Sequence, residues 1–380
     1  MKKKVLVFVP SLRYRGGSFK VAATLTQILS KKYDVSTITL FHFKKNYGYG
    51  GKYYTLDVKH NRGVYPKLYL LIKMIKTISP DIVVTFMTFT SFWAIPLLYV
   101  LRMKVPIIIN VHSNPDMQYK RRIYFKFLIK FLYRLKKVKK IVPVSKELKE
   151  IFHLRYKIER EKLLPIYNGI NIQDVLSLAK EKLDDNYDIF ANDKLLKFIS
   201  IGRLSVEKGH IYLIKAFSKV IKEIPNARLI IIGEGLGQLN TRPYLEQLIK
   251  KEKLANYVKL LGFQSNPYKY LSRSDILVLP SLNEALPYAL IEAFALHIPI
   301  ISTDCRTGPK ELLHNGKYGL LTKVADANDL AQKMILLAKD EDLRKHYANI
   351  SEEVIDTFDE KKFTENWLNL IESQLNQVKE

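Results

Sequence analysis

Apolar residues along this chain come in short, nearly unbroken runs, each followed by a stretch in which they recur every three or four positions. The runs VLVFVP (5–10), VSTITLF (35–41), DIVVTFM (81–87), VPIIINVH (105–112) and KKIVPVS (139–145) have the length and β-branched content of strands covered on both faces of a parallel sheet. Between the first two, FKVAATLTQILSKK (19–32) carries a helical period. The alternation then restarts. LKFISIGRL (196–204), ARLIIIGEG (227–235), YVKLLGF (257–263), DILVLPS (275–281) and PIISTD (299–304) read as strands, with helical patterns near 210–223, 244–253, 287–296 and 326–338. The pattern predicts an α/β chain of two doubly wound halves, at 1–172 and 195–357. The acidic, strandless stretch 173–194 reads as a linker or surface excursion, and 361–377 as an amphipathic helix within a C-terminal segment 358–380.

Composition adds limits. At 380 residues and 47% apolar content the chain can fill two full cores. No apolar run approaches the ~20 residues that cross a bilayer, and the few apolar residues before Pro10 are too few for a secretory leader. The expectation is a chain that starts at Met1 in the cytoplasm. The single cysteine, Cys305, excludes an internal disulfide and a cysteine zinc cage, and reads as a small buried side chain after a strand. Charge is the uneven property. Residues 1–172 carry 34 Lys and Arg against 8 Asp and Glu, a balance of +26, whereas the other 208 residues carry 28 against 29. Such a front half is suited to a polyanion, either nucleic acid or an anionic lipid surface.

In open α/β sheets ligands sit at the carboxyl ends of strands, which gives weight to three loops. In PSLRYRGGSFKVAATL, Gly16-Gly17 lets a phosphate approach backbone amides at a helix start, although a tight turn explains the pair equally well. The G-x-G-x-x-G spacing and the acidic strand end of a dinucleotide site are absent. In ISIGRLSVEKGH, Arg203 supplies a planar fork and Lys208 a mobile point charge, together suited to a diphosphate; the alternative is a solvated turn with Lys208 paired to Glu207. In SLNEALPYALIEAFA, Pro287 marks the first turn of a helix over about 287–296. That places Glu284 in the preceding loop, Glu292 in the second turn, and Leu286 and Tyr288 with amides available to a phosphate. The two carboxylates, acceptors only, are suited to sugar hydroxyls. A capping role is the alternative for Glu284, and Glu292 on so apolar a face needs a polar partner.

Glu284 and Glu292 with seven residues between them, Arg203 and Lys208 in GRLSVEKG, Gly16-Gly17 after the first strand and His112 in IINVHSNP together resemble the GT-B glycosyltransferases of family 4, over nearly the whole chain. The resemblance implies two facing Rossmann-like domains, with the acceptor on the first, the nucleotide sugar on the second, and a C-terminal helix crossing back to the first. It implies retaining transfer without a metal or other cofactor, Arg203 and Lys208 neutralising the leaving diphosphate. It assigns Glu292 to the ribose, Glu284 to a donor-sugar hydroxyl, Gly16-Gly17 to the diphosphate, His112 to the donor sugar near the reacting carbon, and the backbone near Gly235 and Leu261 to the base and ribose. His112 also has a bland alternative as a satisfied strand-end histidine. Many relatives have Gly after the first Glu; Ala285 stands here, which is strained if that position needs a positive φ.

The stretch YKRRIYFKFLIKFLYRLKKVKK (119–140) reads as one basic amphipathic helix, with Arg122, Lys126, Lys130, Arg134 and Lys137 along one face and Ile123, Phe127, Phe131 and Leu135 on an apolar face; the alternative is a buried helix with a solvated charged edge. With the resemblance, it implies a peripheral protein at the inner face of the cell membrane and a lipid-linked or glycan acceptor. The sequence ISTDCRTGPKELL (301–313) resembles the donor loop of bacterial transferases that use UDP-hexoses or UDP-N-acetylhexosamines. Two alternatives stay open on sequence alone. A UDP-sugar epimerase of the same architecture binds the same ligands. A nucleic-acid-binding protein uses the basic half but leaves the second half's charged residues without a role, so no nucleic-acid partner is expected.

Overall fold

The computed structural model describes residues 2–13, 17–43, 47–57, 63–119, 122–183, 188–235 and 237–377. Gly16 lies outside them. The chain divides into two compact units, Met1–Gly169 with Lys361–Glu380, and Ile170–Glu360.

The first unit is built on six parallel strands: β1 (Lys4–Val9), β2 (Asp34–Thr39), β3 (Lys52–Thr55), β4 (Ile82–Phe86), β5 (Ile107–Val111) and β6 (Val138–Pro143), in the order β3-β2-β1-β4-β5-β6. The second repeats this with β7 (Leu196–Ile201), β8 (Ala227–Ile232), β9 (Val258–Gly262), β10 (Ile276–Leu279), β11 (Ile300–Thr303) and β12 (Leu320–Thr322), in the order β12-β11-β10-β7-β8-β9. Central strands β4 and β5 are buried at every position, as the unbroken apolar runs require. The edge strands β3 and β12 are the two that the apolar pattern does not single out. At four and three residues, they have too little apolar content to stand out.

In each sheet the order reverses between two neighbours, β1 and β4 in the first and β7 and β10 in the second. Loops leaving such a pair diverge and leave a crevice at the strand ends. The helices Gly17–Ser30, His210–Glu223, Arg242–Lys251, Tyr288–Ala295, Ala327–Lys339 and Glu360–Asn376 match the predicted patterns to within about two residues at most ends. The last contributes Trp367, Leu370 and Ile371, all buried, and Glu372 meets Lys32 of the first unit.

Two readings change. The stretch 173–194 opens within the helix Ile172–Ala179, and this is anchored in the second unit: Asn266 donates to the carbonyl of Leu178 at 2.8 Å, and Ser272 and Arg273 donate to that of Ala179. Nor is 119–140 one helix. It holds the helix Ile123–Leu132, after which Tyr133 is fully buried and the chain turns into β6. Pairing Val138, Ile141 and Val142 into the sheet satisfies backbone and side chains together, which continuation of an exposed helix would not. Arg122 becomes the N-cap. Lys137 folds back to donate to the carbonyl of Leu98 at 2.7 Å, with its ammonium over the Tyr99 ring. Lys126 lies 3.4 Å from Asp116, whose carboxylate also binds Arg155 and Tyr156 and is held below the usual carboxylate range. Burial alone acts on Asp116 in the opposite direction, and these partners outweigh it.

Candidate active site

The second unit brings Lys208 and Glu284 together at its switch point, between the loops that leave β7 and β10. Gly202 leaves β7, and the stem of Lys208 passes over it closely enough that a Cβ there would meet Lys208 Cδ at 3.5 Å. Gly209, with φ +66, turns the chain into the helix His210–Glu223 and presses on the end of β10, where an added Cβ would come within 2.0 Å of the Pro280 carbonyl. Leu282 N–H donates to the Glu207 carbonyl at 2.8 Å, which ties the two loops together.

This crossing of loops carries Lys208 to Glu284. The ammonium lies 2.5 Å from Glu284 Oε1, with the two side chains only 19% and 9% exposed. Ser281 donates to the same oxygen at 2.7 Å, and the Thr307 hydroxyl donates to the Glu284 carbonyl. Sequence reasoning missed Ser281 and Thr307. Ser281 stands only three residues before Glu284, so its contact with the carboxylate is local in sequence. Thr307 comes from a distant loop and carries no local signal. Arg203, by contrast, is exposed and pairs with Glu207 at 3.0 Å, so the partner proposed for Lys208 in the solvated-turn alternative belongs to Arg203 instead.

Ala285 takes no positive φ. That conformation falls to Thr307 (φ +71) and Gly308 (φ +84), and a Cβ on Gly308 would sit 2.8 Å from the Ala285 carbonyl. The concern about alanine is thereby removed. Cys305 is buried beside this loop; burial, reinforced by the Glu284 charge, pushes its thiol up to about 12 and keeps it protonated.

Pro287 caps the helix Tyr288–Ala295, so Tyr288 opens it and Leu286 is buried ahead of it. Glu292 lies on this helix, 8% exposed, and accepts the Tyr268 hydroxyl at 2.9 Å. One polar partner of the kind its burial demands is thus a tyrosine 24 positions earlier, which no local pattern announces. Gly235 is half-buried in the loop after β8, and Leu261 lies in β9 with its carbonyl accepting Gln264 at 3.0 Å.

The remaining two described candidates belong to the first unit. Gly17 is exposed and begins the helix Gly17–Ser30. His112 follows β5, stacked on Phe86 with ring centroids 5.5 Å apart. Burial lowers its pKa to about 3, so the ring is neutral, and its Nε2 is enclosed with no hydrogen-bond partner. A satisfied core histidine has both nitrogens bonded.

Two parallel six-stranded sheets with flanking helices are the architecture of GT-B enzymes. The crystal structure of HepE from Anabaena in complex with UDP is similar, with a TM-score of 0.79 at 18% identity over 97% of this chain and 100% of that one. Sequence places the chain within that class. The model of Glycosyltransferase Family 4 matches residues 15–174, and that of Glycosyl transferases group 1 matches 182–354. An uncharacterized glycosyltransferase of Methanocaldococcus jannaschii is 34% identical over 346 residues, 81% of this chain and 83% of that protein. The N-acetylgalactosamine-N,N'-diacetylbacillosaminyl-diphospho-undecaprenol 4-alpha-N-acetylgalactosaminyltransferase of Campylobacter jejuni is 29% identical over 379 residues, 96% and 98% of the two chains. The chain belongs to the family 4 glycosyltransferases and is a transferase of GT-B fold.

Proposed function

We propose that this glycosyltransferase moves a hexose or N-acetylhexosamine from a UDP-sugar, with retention of configuration, to a lipid-linked or polysaccharide acceptor at the face of a membrane. The observation that carries the donor half is the meeting of Lys208 and Glu284 across the β7–β10 switch point, with Arg203 on the same loop. Cleavage of the anomeric C–O bond leaves positive charge on the sugar and negative charge on the diphosphate. Lys208 and Arg203 stabilise the latter, and Glu284 accepts a hydrogen bond from a sugar hydroxyl. Glu292 is assigned to the ribose and the backbone near Gly235 and Leu261 to the base. Gly17, the described member of the glycine pair, is assigned to the diphosphate. His112, neutral and with an unengaged Nε2, is assigned to the donor sugar. The acceptor hydroxyl passes its proton to a leaving phosphate oxygen, which is front-face transfer with retention and needs no separate protein base. The acceptor class is supported by the Campylobacter relatives, whose names specify undecaprenol-diphosphate glycans.

The membrane half rests on the helix Ile123–Leu132. Phe125 anchors it by stacking on Phe92 and Tyr119, and Ile129 and Leu132 are buried. Ile123, Phe127 and Phe131, one turn apart, are 69%, 65% and 66% exposed beside Lys130 and Arg134. Among the described residues no helix is long and apolar enough to cross a membrane. A bilayer interface satisfies both the rings and the charges of this face.

A melting-temperature screen against UDP-, GDP- and ADP-sugars tests the donor, because a ligand that binds only the native state raises the transition. UDP-sugars are expected to raise it and the others not; a response to GDP- or ADP-sugars alone rejects the uridine assignment. The anomeric coupling constant of the glycoside formed on an undecaprenyl-diphosphate acceptor separates retention from inversion.

A further inference from the structure

We infer that the Lys208–Glu284 ion pair lets this enzyme distinguish an intact donor from the spent nucleoside diphosphate, so that Glu284 limits product inhibition in addition to holding the sugar. This rests on the reading of the second unit as the donor site.

One carboxylate oxygen of Glu284 receives both the Lys208 ammonium at 2.5 Å and the Ser281 hydroxyl at 2.7 Å, and both members of the ion pair are largely withdrawn from water. A diphosphate arriving over Gly202 needs the ammonium. When Lys208 turns to it, the backbone of the Glu284 loop stays in place, since the Glu284 carbonyl accepts from Thr307 and the neighbouring Ala285 carbonyl lies against Gly308. Among the described residues the carboxylate then keeps Ser281 as its partner, and it faces a second anion. An ionised group left in that state is strongly unfavourable.

The two ligands differ in what they return to Glu284. A sugar nucleotide brings hydroxyl donors that take the place of the ammonium. The free diphosphate brings none, and its terminal phosphate carries a further ionisable oxygen, which places more negative charge near the carboxylate. The same residue therefore supports the intact donor and opposes the product. Arg203 does not share this role: it is exposed, and its partner Glu207 lies on its own turn.

Isothermal titration of UDP and of UDP-N-acetylglucosamine against the wild type, Glu284→Gln and Ser281→Ala tests this. Glu284→Gln removes the charge at constant shape and is expected to bind UDP about tenfold more tightly while binding the sugar nucleotide no better, so the preference for the donor collapses. Ser281→Ala, which strips the carboxylate of its remaining partner, is expected to bind UDP several-fold more weakly. Glu284→Gln binding UDP no more tightly than the wild type, or Ser281→Ala binding it more tightly, overturns the inference while leaving the donor site standing. A wild type that binds neither ligand, and no other UDP-sugar, overturns both.

Discussion

Glu292 is a carboxylate on a helix whose other buried positions are all apolar, so burial decides its surroundings before any ligand does. Its bond to the Tyr268 hydroxyl links the helix Tyr288–Ala295 to the short helix Tyr268–Leu271. Tyr268→Phe keeps the ring and removes that donor. It is expected to lower unfolding stability by about 1–2 kcal/mol in urea titration, the cost of depriving a buried acceptor of one bond. An unchanged midpoint shows that other groups hold the carboxylate. Residues of this site were legible in the sequence in proportion to how local their chemistry is. Glu284, Glu292, Arg203 and Lys208 stood out because charge beside apolar or glycine-rich strand ends is anomalous. Tyr268 and Thr307 did not, because a buried tyrosine and a loop threonine are ordinary residues until the fold brings them to a carboxylate. Arg203 and Lys208 were also indistinguishable by spacing; only the β10 loop separates the buried partner of one from the exposed partner of the other.

The turn between β7 and the helix His210–Glu223 and the exposed helix of the first unit each carry a prediction at the scale of an element. Gly209 combines a positive φ with contact against the Pro280 carbonyl, so Gly209→Ala meets both a conformational and a steric penalty. A loss of about 2–4 kcal/mol is expected, measured as a lowered urea midpoint, together with weaker UDP-sugar binding because Lys208 shifts with the turn. Full stability in this variant means that the loop opens freely and does not fix Lys208. For the helix Ile123–Leu132, sequence periodicity carried the amphipathic pattern correctly across its middle and overran its end, because the cationic spacing continues into residues that the sheet claims. The variants follow from that correction. Lys126 is engaged by Asp116, so the proposed membrane contact is tested at Lys130 and Arg134, which are exposed beside the apolar face. Reversing both is expected to reduce co-sedimentation with phosphatidylserine vesicles at least tenfold at low salt, at about 1 kcal/mol per charge near an anionic surface. Phe127→Ser with Phe131→Ser is expected to reduce binding at high salt as well. Vesicle binding untouched by either pair removes this helix from the interface.

The molecule as a whole reads as two copies of one architecture with different electrostatics. That much was legible because a parallel sheet covered on both faces writes itself as apolar runs, and ten of the twelve strands have such runs. The edges β3 and β12 escape this rule, since an edge strand of three or four residues needs little apolar content. Each unit also has a histidine at a strand-to-helix turn, His112 half-buried in the first and His210 buried in the second. Burial lowers both to about 3, with the Lys208 charge adding to the effect at His210, whose two ring nitrogens have no partner. The unfolded chain takes up a proton at each near pH 6.5, and the folded chain refuses it until near pH 3. The resulting stability is complete above about pH 6.5 and is lost as the pH falls toward 3. The lowered carboxylates Asp81 and Asp116 act below the ordinary Asp value, so between pH 6.5 and 5 they remain ionised in both states. In that window the histidines dominate. Moving from pH 7 to pH 5 is expected to cost about 2 kcal/mol through His210 alone. Urea midpoints of the wild type at pH 7.5, 6 and 5 are expected to decline. His210→Phe, which keeps a ring in the same space and cannot take up a proton, is expected to recover that share at pH 5 while changing little at pH 7.5. A variant that declines as steeply as the wild type shows that the folded protein accommodates a charged His210, and that the turn beside Lys208 opens readily to water.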